Sequence, residues 1–300
     1  MRGAAIVLAM LLAALAAAVA ATVFADQQRW SRTVEHRRDQ VQAQALALAG
    51  VQWGRQILYD DAQRSTIDHL REPWAIALPA IPLDNGQVRG AIVDAQARLN
   101  VNALGDSGAR ADLERARITR LFAQRGGPVG AVDAIADWID RDSIVRDGGA
   151  EDAFYASRQA PGLAANAAVS RVAELAEVKG VTTTTLAAVA PFLAALPAGT
   201  PVNVNTASPE VLTAIVDKLD GESLAKLLAA RAQSPFNNLA EFRAQLPPPA
   251  TLTDDETLGV KSDFFYVTIE AQQGATLARA RALLRRKGNE WPDVVWQVVE

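Results

Sequence analysis

The first 25 positions set a pattern that nothing later in the chain repeats. From Gly3 to Ala25 no charged residue occurs, a run of 23 residues. At about 1.5 Å per residue a helix of that length reaches about 34 Å, enough to cross a hydrocarbon core of ~30 Å. Arg2 precedes the run, and Asp26, Gln27, Gln28 and Arg29 follow it. Past Arg29 the apolar positions become periodic. Val34, Val41, Ala45, Leu48, Val51 and Leu58 recur at spacings of three, four and seven, with Arg32, Arg37, Arg38, Asp39 and Gln42 on other faces. Such spacing predicts an amphipathic helix. No proline occurs before Pro73, and Gly50 and Gly54 are the only glycines between Gly3 and that point. Residues 4–58 thus read as one helix of roughly 80 Å, a transmembrane part over 4–25 and a stalk over 26–58.

Beyond the stalk the period changes. Pro73, Pro79 and Pro82 break helix, and Asp84-Asn85-Gly86 is a turn signal. Val88 to Asp94 reads as a strand, with Ala95 to Asn102 continuing extended. From about 105 to 250 the pattern is helical with short loops: Ala111–Gln124, Val132–Ile139, Val172–Val178, Leu186–Leu196, Pro209–Leu219 and Ser223–Ala232. Ser208 before Pro209 combines an N-cap with proline at the first helical position. After Pro247-Pro248-Pro249, the segments Phe264–Ala271, Thr276–Leu284 and Val294–Val299 read as strands. Strands flank the helical block on both sides, and sequential strands tend to be spatial neighbours. The expected fold class is α+β. A discontinuous α/β domain (59–104 and 251–300) packs an antiparallel sheet on the stalk helix, and an all-helical domain (105–250) is inserted between its strands.

Composition narrows the function classes. Half the residues are hydrophobic and only 6% aromatic, so a core can form and helices are favoured. Cysteine is absent, which removes disulfides and thiolate metal sites. The only histidines, His36 and His69, lie on the stalk and just past it, so no serine or threonine has an evident histidine partner for nucleophilic chemistry. The net charge is −4, and residues 100–270 hold 15 basic against 22 acidic side chains. That balance is poor footing for phosphate binding. The N-terminal run admits two readings. Val23-Phe24-Ala25 before Asp26 offers a signal-peptidase site, but the run exceeds a usual h-region of about 7–15 residues and carries one arginine ahead of it. Arg29, Arg32, Arg37 and Arg38 outnumber Arg2, so the arginine count does not by itself put the C-terminal bulk outside the cytoplasm.

Two segments carry candidate chemistry. Between Asp133 and Asp152 stand seven carboxylates, with Arg141 and Arg146 among them. Asp140, Asp142, Asp147, Glu151 and Asp152 fall in a glycine-containing loop flanked by Trp138 and Tyr155. Hard oxygen ligands on a loop suit calcium, which takes six to eight oxygens, although the spacing is not that of an EF-hand. The competing reading is a solvated loop in which Asp140 or Asp142 caps a helix. The second segment, Asn203-Val204-Asn205-Thr206-Ala207, resembles the opening of a helix-hairpin-helix DNA-binding module, and Val178-Lys179-Gly180-Val181 looks like another hairpin. After Ala207, however, Asp220 and Glu222 flank the single Gly221, which leaves asparagines that brace a turn as the alternative.

Several segments together match a known family. Asp137-Trp138-Ile139-Asp140-Arg141-Asp142, then Asp147-Gly148-Gly149-Ala150-Glu151-Asp152 with Tyr155, then Glu174-Leu175, Val178-Lys179-Gly180-Val181 and Val202-Asn203-Val204-Asn205-Thr206-Ala207, resemble the type II secretion system protein K family. Leu99-Asn100-Val101-Asn102-Ala103 is a further family-like segment. The resemblance covers nearly the whole chain and implies a minor pseudopilin, a structural subunit and not an enzyme, at the tip of a periplasmic pseudopilus. It implies a leader over 1–3, cleavage by the prepilin peptidase between Gly3 and Ala4, and N-methylation of Ala4. Mature position five is then Leu8, where major pilins carry a glutamate. A carboxylate in the bilayer is costly unless paired, so a subunit with none ahead of it has no need of one. Implied too are a single-pass inner-membrane location, minor pseudopilins I and J as partners, stalk packing against other pseudopilins, and calcium at the acidic loop. Secreted proteins remain candidate partners; nucleic acid does not.

Overall fold

A computed structural model of the protein describes residues 2–253 and 256–300, apart from the side chains of Arg2, Ala4 and Ala5. Helix α1 spans Arg2–Ala62 without interruption, a length of about 90 Å. From Ile6 to Arg38 it is exposed all round. Its last turns lie on one face of a five-stranded antiparallel sheet. Strand β1 (Leu78–Leu83) and strand β2 (Gly86–Asp94) form a hairpin at one edge. Between β2 and the next strand of this sheet runs the whole inserted domain. In chain order it holds β3 (Leu99–Asn100), α2 (Ala109–Gln124), α3 (Gly130–Ile139), α4 (Asp152–Ala156) and α5 (Thr183–Val189). Then come β4 (Leu193–Ala194), β5 (Val202–Asn203), α6 (Pro209–Ile215), α7 (Gly221–Gln233), α8 (Leu239–Ala244) and β6 (Leu258–Gly259). The chain returns as β7 (Phe264–Gln273), β8 (Thr276–Arg285) and β9 (Asp293–Val299), giving the order β1-β2-β7-β8-β9.

The sheet alternates as a one-sided sheet must. On β8, Ala278, Ala280 and Ala282 point at α1 while Arg279 and Arg281 point away, exposed. Opposite them α1 presents Ala43, Ala47, Val51 and Leu58, all fully buried. The glycines explain how closely the two layers meet. A Cβ on Gly50 would sit 2.7 Å from Ile269 Cγ2, and one on Gly54 would sit 3.2 Å from Val267 Cγ1. The face that packs is therefore chosen by small residues, and the periodic apolar stripe expected from the sequence splits in two. Val51 and Leu58 are buried, whereas Val41 is 65% exposed and Val34 and Leu48 are also exposed.

Strand β1 occupies the stretch where three prolines suggested only chain breaks. Pro79 and Pro82 lie within it, and it is an edge strand, where a missing N–H costs no ladder bond. The segment after β2 is not extended as expected. Asp94 Oδ1 accepts from Gln96 N, and 3₁₀ turns follow at Ala95–Ala97 and Val101–Gly105. The insert consequently spans 95–263, wider than 105–250, because Leu99, Val101, Leu104, Ala250 and Leu258 belong to its core. Val172–Glu177 is 3₁₀ and not α-helical, and Pro191 ends α5 in a 3₁₀ turn that leads into β4.

Within the insert one device appears twice. In Leu99-Asn100-Val101-Asn102, Asn100 Oδ1 accepts from Asn102 N at 3.2 Å and Leu196 N at 3.0 Å. Asn102 exchanges bonds with Val169, accepting from its N and donating to its O, both at 2.9 Å. In Val202-Asn203-Val204-Asn205, Asn203 Oδ1 accepts from Asn205 N at 2.9 Å, and Asn205 exchanges bonds with Phe236 N and O at 2.8 and 2.9 Å. Each motif opens on a two-residue strand in a parallel pair, β3 with β4 and β5 with β6. Both pairs of asparagines are buried and clamp distant loops to a turn, which is the brace reading and not a phosphate-binding one. Ser208 Oγ accepts from Val211 N, the expected cap of α6.

The insert leaves the sheet at a defined end. Asp39 of α1 lies beside Gly274 in the β7–β8 turn, and His36 Nδ1 is 3.3 Å from Thr276 Oγ1. That turn is therefore the end nearer the apolar segment. Asp94 and Phe264, where the insert departs and returns, lie at the opposite end, where Arg286 meets Asp61.

Candidate functional site

The acidic loop is built on the C-terminus of α3. Asp137, in the last turn of α3, is fully buried and binds Arg146 twice: its Oδ2 accepts from Arg146 N at 3.1 Å, and its Oδ1 accepts from Nη1 at 2.6 Å. Arg146 Nη1 also donates to Asp140 Oδ2. The two glycines here permit close approach. A Cβ on Gly149 would fall 1.8 Å from Asp137 Oδ2, and one on Gly148 would fall 2.8 Å from Gly130 Cα. Lys179 Nζ ties down the same loop by donating to Gly149 O at 2.8 Å, and Trp138 and Tyr155 meet edge to face at 4.8 Å.

Against this frame, three of the five expected ligands converge. Asp140, Asp142 and Glu151 each offer a carboxylate oxygen within 4.8 Å of the others. Asp140 and Glu151 are buried, Asp142 exposed. Among the described residues, neither oxygen of Glu151 nor Oδ1 of Asp140 has a hydrogen-bond partner, a costly state for buried carboxylates. Burial pushes the Glu151 carboxyl up to about 7, helped by the charges of Asp137, Asp140, Asp142 and Asp152. Burial likewise raises Asp140, although its bond to Arg146 opposes the shift. Buried, unsatisfied and mutually repelling oxygens around one point suit a hard divalent cation.

The other two expected ligands are placed elsewhere. Asp152 Oδ1 accepts from Ala164 N at 2.9 Å, bracing the loop after α4, and Asp147 is exposed and outside the cluster. Asp142 Oδ1 accepts from Ile144 N, a local turn bond. Asp137, absent from the expected set, holds the arginine that orients Asp140. Its spacing of three from Asp140, one helical turn, is the signal that could have found it. Leu8 and Gly3 lie on the exposed part of α1.

A second carboxylate group, Asp61, Asp68 and Glu72, is fully buried, but a cation already occupies it. Arg286 Nη1 donates to Asp61 Oδ2 at 2.8 Å, and its Nη2 donates to both oxygens of Asp68 and to Ser262 O. Glu72 Oε2 accepts from Trp74 Nε1 and His69 N, each at 2.8 Å. The network continues through Ser262 Oγ and Thr206 Oγ1, which donate to Asp94, and Asn203 Nδ2, which also reaches Asp68 O. It joins the end of α1, the sheet and the insert. Burial raises Asp61 and Asp94 to about 6 each.

The remaining candidate surface is α1 itself. Trp30, Val34, Val41 and Leu48 are exposed on the stalk between the apolar segment and the sheet-packed turns.

The chain is similar to known proteins over most of its length. Two family models described as type II secretion system (T2SS), protein K match residues 97–198 and 202–261. Their boundary falls between the two asparagine-braced halves of the insert. Type II secretion system protein K of Aeromonas hydrophila is 31% identical over 256 residues, 78% of this chain and 77% of that protein. Its counterpart from Klebsiella pneumoniae is 30% identical over 306 residues, 96% of this chain and 93% of that protein. Among solved structures, a chain of the GspK-GspI-GspJ complex from the enterotoxigenic Escherichia coli type 2 secretion system shares the fold, with a TM-score of 0.75 at 23% identity. The alignment covers 90% of this chain and 99% of that one. The chain belongs to the type II secretion system protein K family.

Proposed function

We propose that this chain is a minor pseudopilin, a structural and non-enzymatic subunit that sits at the tip of the periplasmic pseudopilus. The observation that carries this reading is α1, one helix whose first half is apolar and exposed and whose last turns are bound to the sheet. A leader cut before Asp26 has no need to continue into a structural helix. Processing between Gly3 and Ala4 keeps the whole element, with Ala4 methylated and Leu8 at mature position five. In the inner membrane residues 4–25 anchor the precursor, and in the pseudopilus the alanine-rich surface permits close helix packing. The exposed line of Trp30, Val34, Val41 and Leu48 continues that packing in water. The insert lies at the end of the sheet away from the apolar segment, where its bulk blocks a subunit above. Minor pseudopilins I and J are the partners that the solved relative's complex suggests.

Within this reading Asp140, Asp142 and Glu151 hold calcium, with Arg146 and Asp137 positioning Asp140. The ion supplies the positive charge that the buried oxygens lack.

The stalk surface is tested by co-isolation. The full chain is co-expressed with the I and J subunits of its own system and extracted in a neutral detergent. Val41→Asp and Leu48→Asp are expected to reduce recovery of the partners severalfold while the melting temperature of the isolated chain stays unchanged. Undiminished recovery contradicts an assembly role for this face.

A further inference from the structure

The outer face of the sheet and the insert meet in a groove lined by Arg98, Arg171, Leu193, Tyr266, Arg281 and Trp296. Three arginines line it, in a chain of net charge −4. The half-buried Arg98 lies over the Tyr266 ring at 5.0 Å, and neither its side chain nor that of Arg171 makes an ion pair among the described residues. Arg281 alone has a carboxylate, that of Glu300 at 2.7 Å, and both partners are largely exposed. Burying a cation without an ion-pair partner is costly, which applies to Arg98, whereas Arg171 and Arg281 are exposed and open to an incoming carboxylate. The indole N–H of Trp296 is buried and has no acceptor among the described residues.

A second, independent feature borders the groove. Trp296 belongs to β9, which ends the sheet. The opposite edge, β1, carries Pro79 and Pro82, a common defence against edge pairing. Strand β9 carries no proline from Asp293 to Val299, and no segment among the described residues pairs with its outer side. We propose that this groove binds an acidic, extended segment of a partner protein, laid along the free edge of β9 with its carboxylates against Arg171 and Arg281. Edge pairing supplies affinity through the main chain, and the guanidinium forks select carboxylates, which they bind in pairs of bonds. The Arg281–Glu300 pair is the internal version of that contact, and the incoming segment displaces Glu300. An isolated phosphate ion would use the arginines and leave the edge unused. The proposal goes beyond the tip reading and involves no part of the stalk.

The test uses the full chain in a neutral detergent and a fluorescein-labelled hexapeptide of alternating glutamate and valine. A lysine–valine hexapeptide is the control, and inorganic phosphate is the competitor. The acidic peptide is expected to raise anisotropy on binding, with affinity falling as salt rises. The double variant Arg171→Gln/Arg281→Gln should weaken it by about tenfold or more. Both sites are exposed, and an unchanged melting temperature separates loss of binding from loss of fold. Three results overturn the proposal: equal binding by the variant, no binding at about 1 mM peptide, or displacement by phosphate as effective as by unlabelled peptide.

Discussion

Glu151 brings two buried carboxylate oxygens without a donor to within reach of Asp140 and Asp142. Its carboxyl is raised from an ordinary 4.5 to about 7. A raised carboxylate makes the metal-free fold more stable below pH 4.5 and progressively less so as pH climbs through 7, because the folded state holds the extra proton. Calcium competes with that proton, so calcium affinity should rise with pH across about 6 to 8, measured by calorimetric titration. At a calcium concentration near 100 Kd the ion should add about 2.7 kcal/mol to stability. Glu151→Gln should abolish the calcium response and, without metal at pH 8, melt above the parent because one repelling charge is gone. A calcium response retained by that variant would remove Glu151 from the site. Gly50 presents the opposite case, a residue defined by what it lacks. Gly50→Leu drives a side chain into Ile269, and overpacking of this kind costs about 1–3 kcal/mol, readable as a lower denaturation midpoint. The sequence displayed both residues but not their meaning. Glu151 stood in a run of acids whose convergence depends on Asp137 holding Arg146, a contact made across the turn after α3.

At the scale of elements, the stalk was legible as a helix and its faces were not. Apolar spacing alone joined Val34 and Val41 to Val51 and Leu58, yet burial separates them. The sheet selects the face whose residues are small enough to let two layers meet, so alanine and glycine positions outrank larger hydrophobes. The three C-terminal strands were readable from their alternation, whereas β1 was hidden by its prolines and becomes intelligible only as an edge. The ends of the insert were misread for a related reason: two-residue strands and 3₁₀ turns are too short to leave a period. Arg286 locks these elements together. Its replacement by methionine leaves Asp61 and Asp68 buried without a cation, and breaking such a group by removing one partner typically costs about 3–5 kcal/mol. The raised Asp61 fixes the sign of the pH effect. Protonation relieves the unpaired charge, and without Arg286 the carboxyl is held higher still, so the deficit should be largest near pH 7.5 and shrink as pH falls toward about 6. Thermal melts at the two ends of that range check it, and a deficit that grows in acid contradicts the charge account.

At the scale of the whole molecule, three parts follow one line: an apolar segment, a stalk-bound sheet, and a bulky insert at the far end. The alternation of helical and strand patterns made the insertion visible, because the segments on either side of it share one sheet, with β2 and β7 paired from Gly86 with Gln273 to Asp94 with Phe265. The paired Asn-Val-Asn motifs were visible as well, but only the three-dimensional bonds show that they brace two halves of one insert and leave no asparagine side chain free for a ligand. Retention of α1 as an assembly surface is the central claim, and the mature N-terminus of the chain isolated from membranes tests it most directly. Mass spectrometry should find a polypeptide beginning at Ala4 and carrying one methyl group on its amine. A chain beginning at Asp26 would mean that the apolar half of α1 is discarded, and the stalk reading would fall with it.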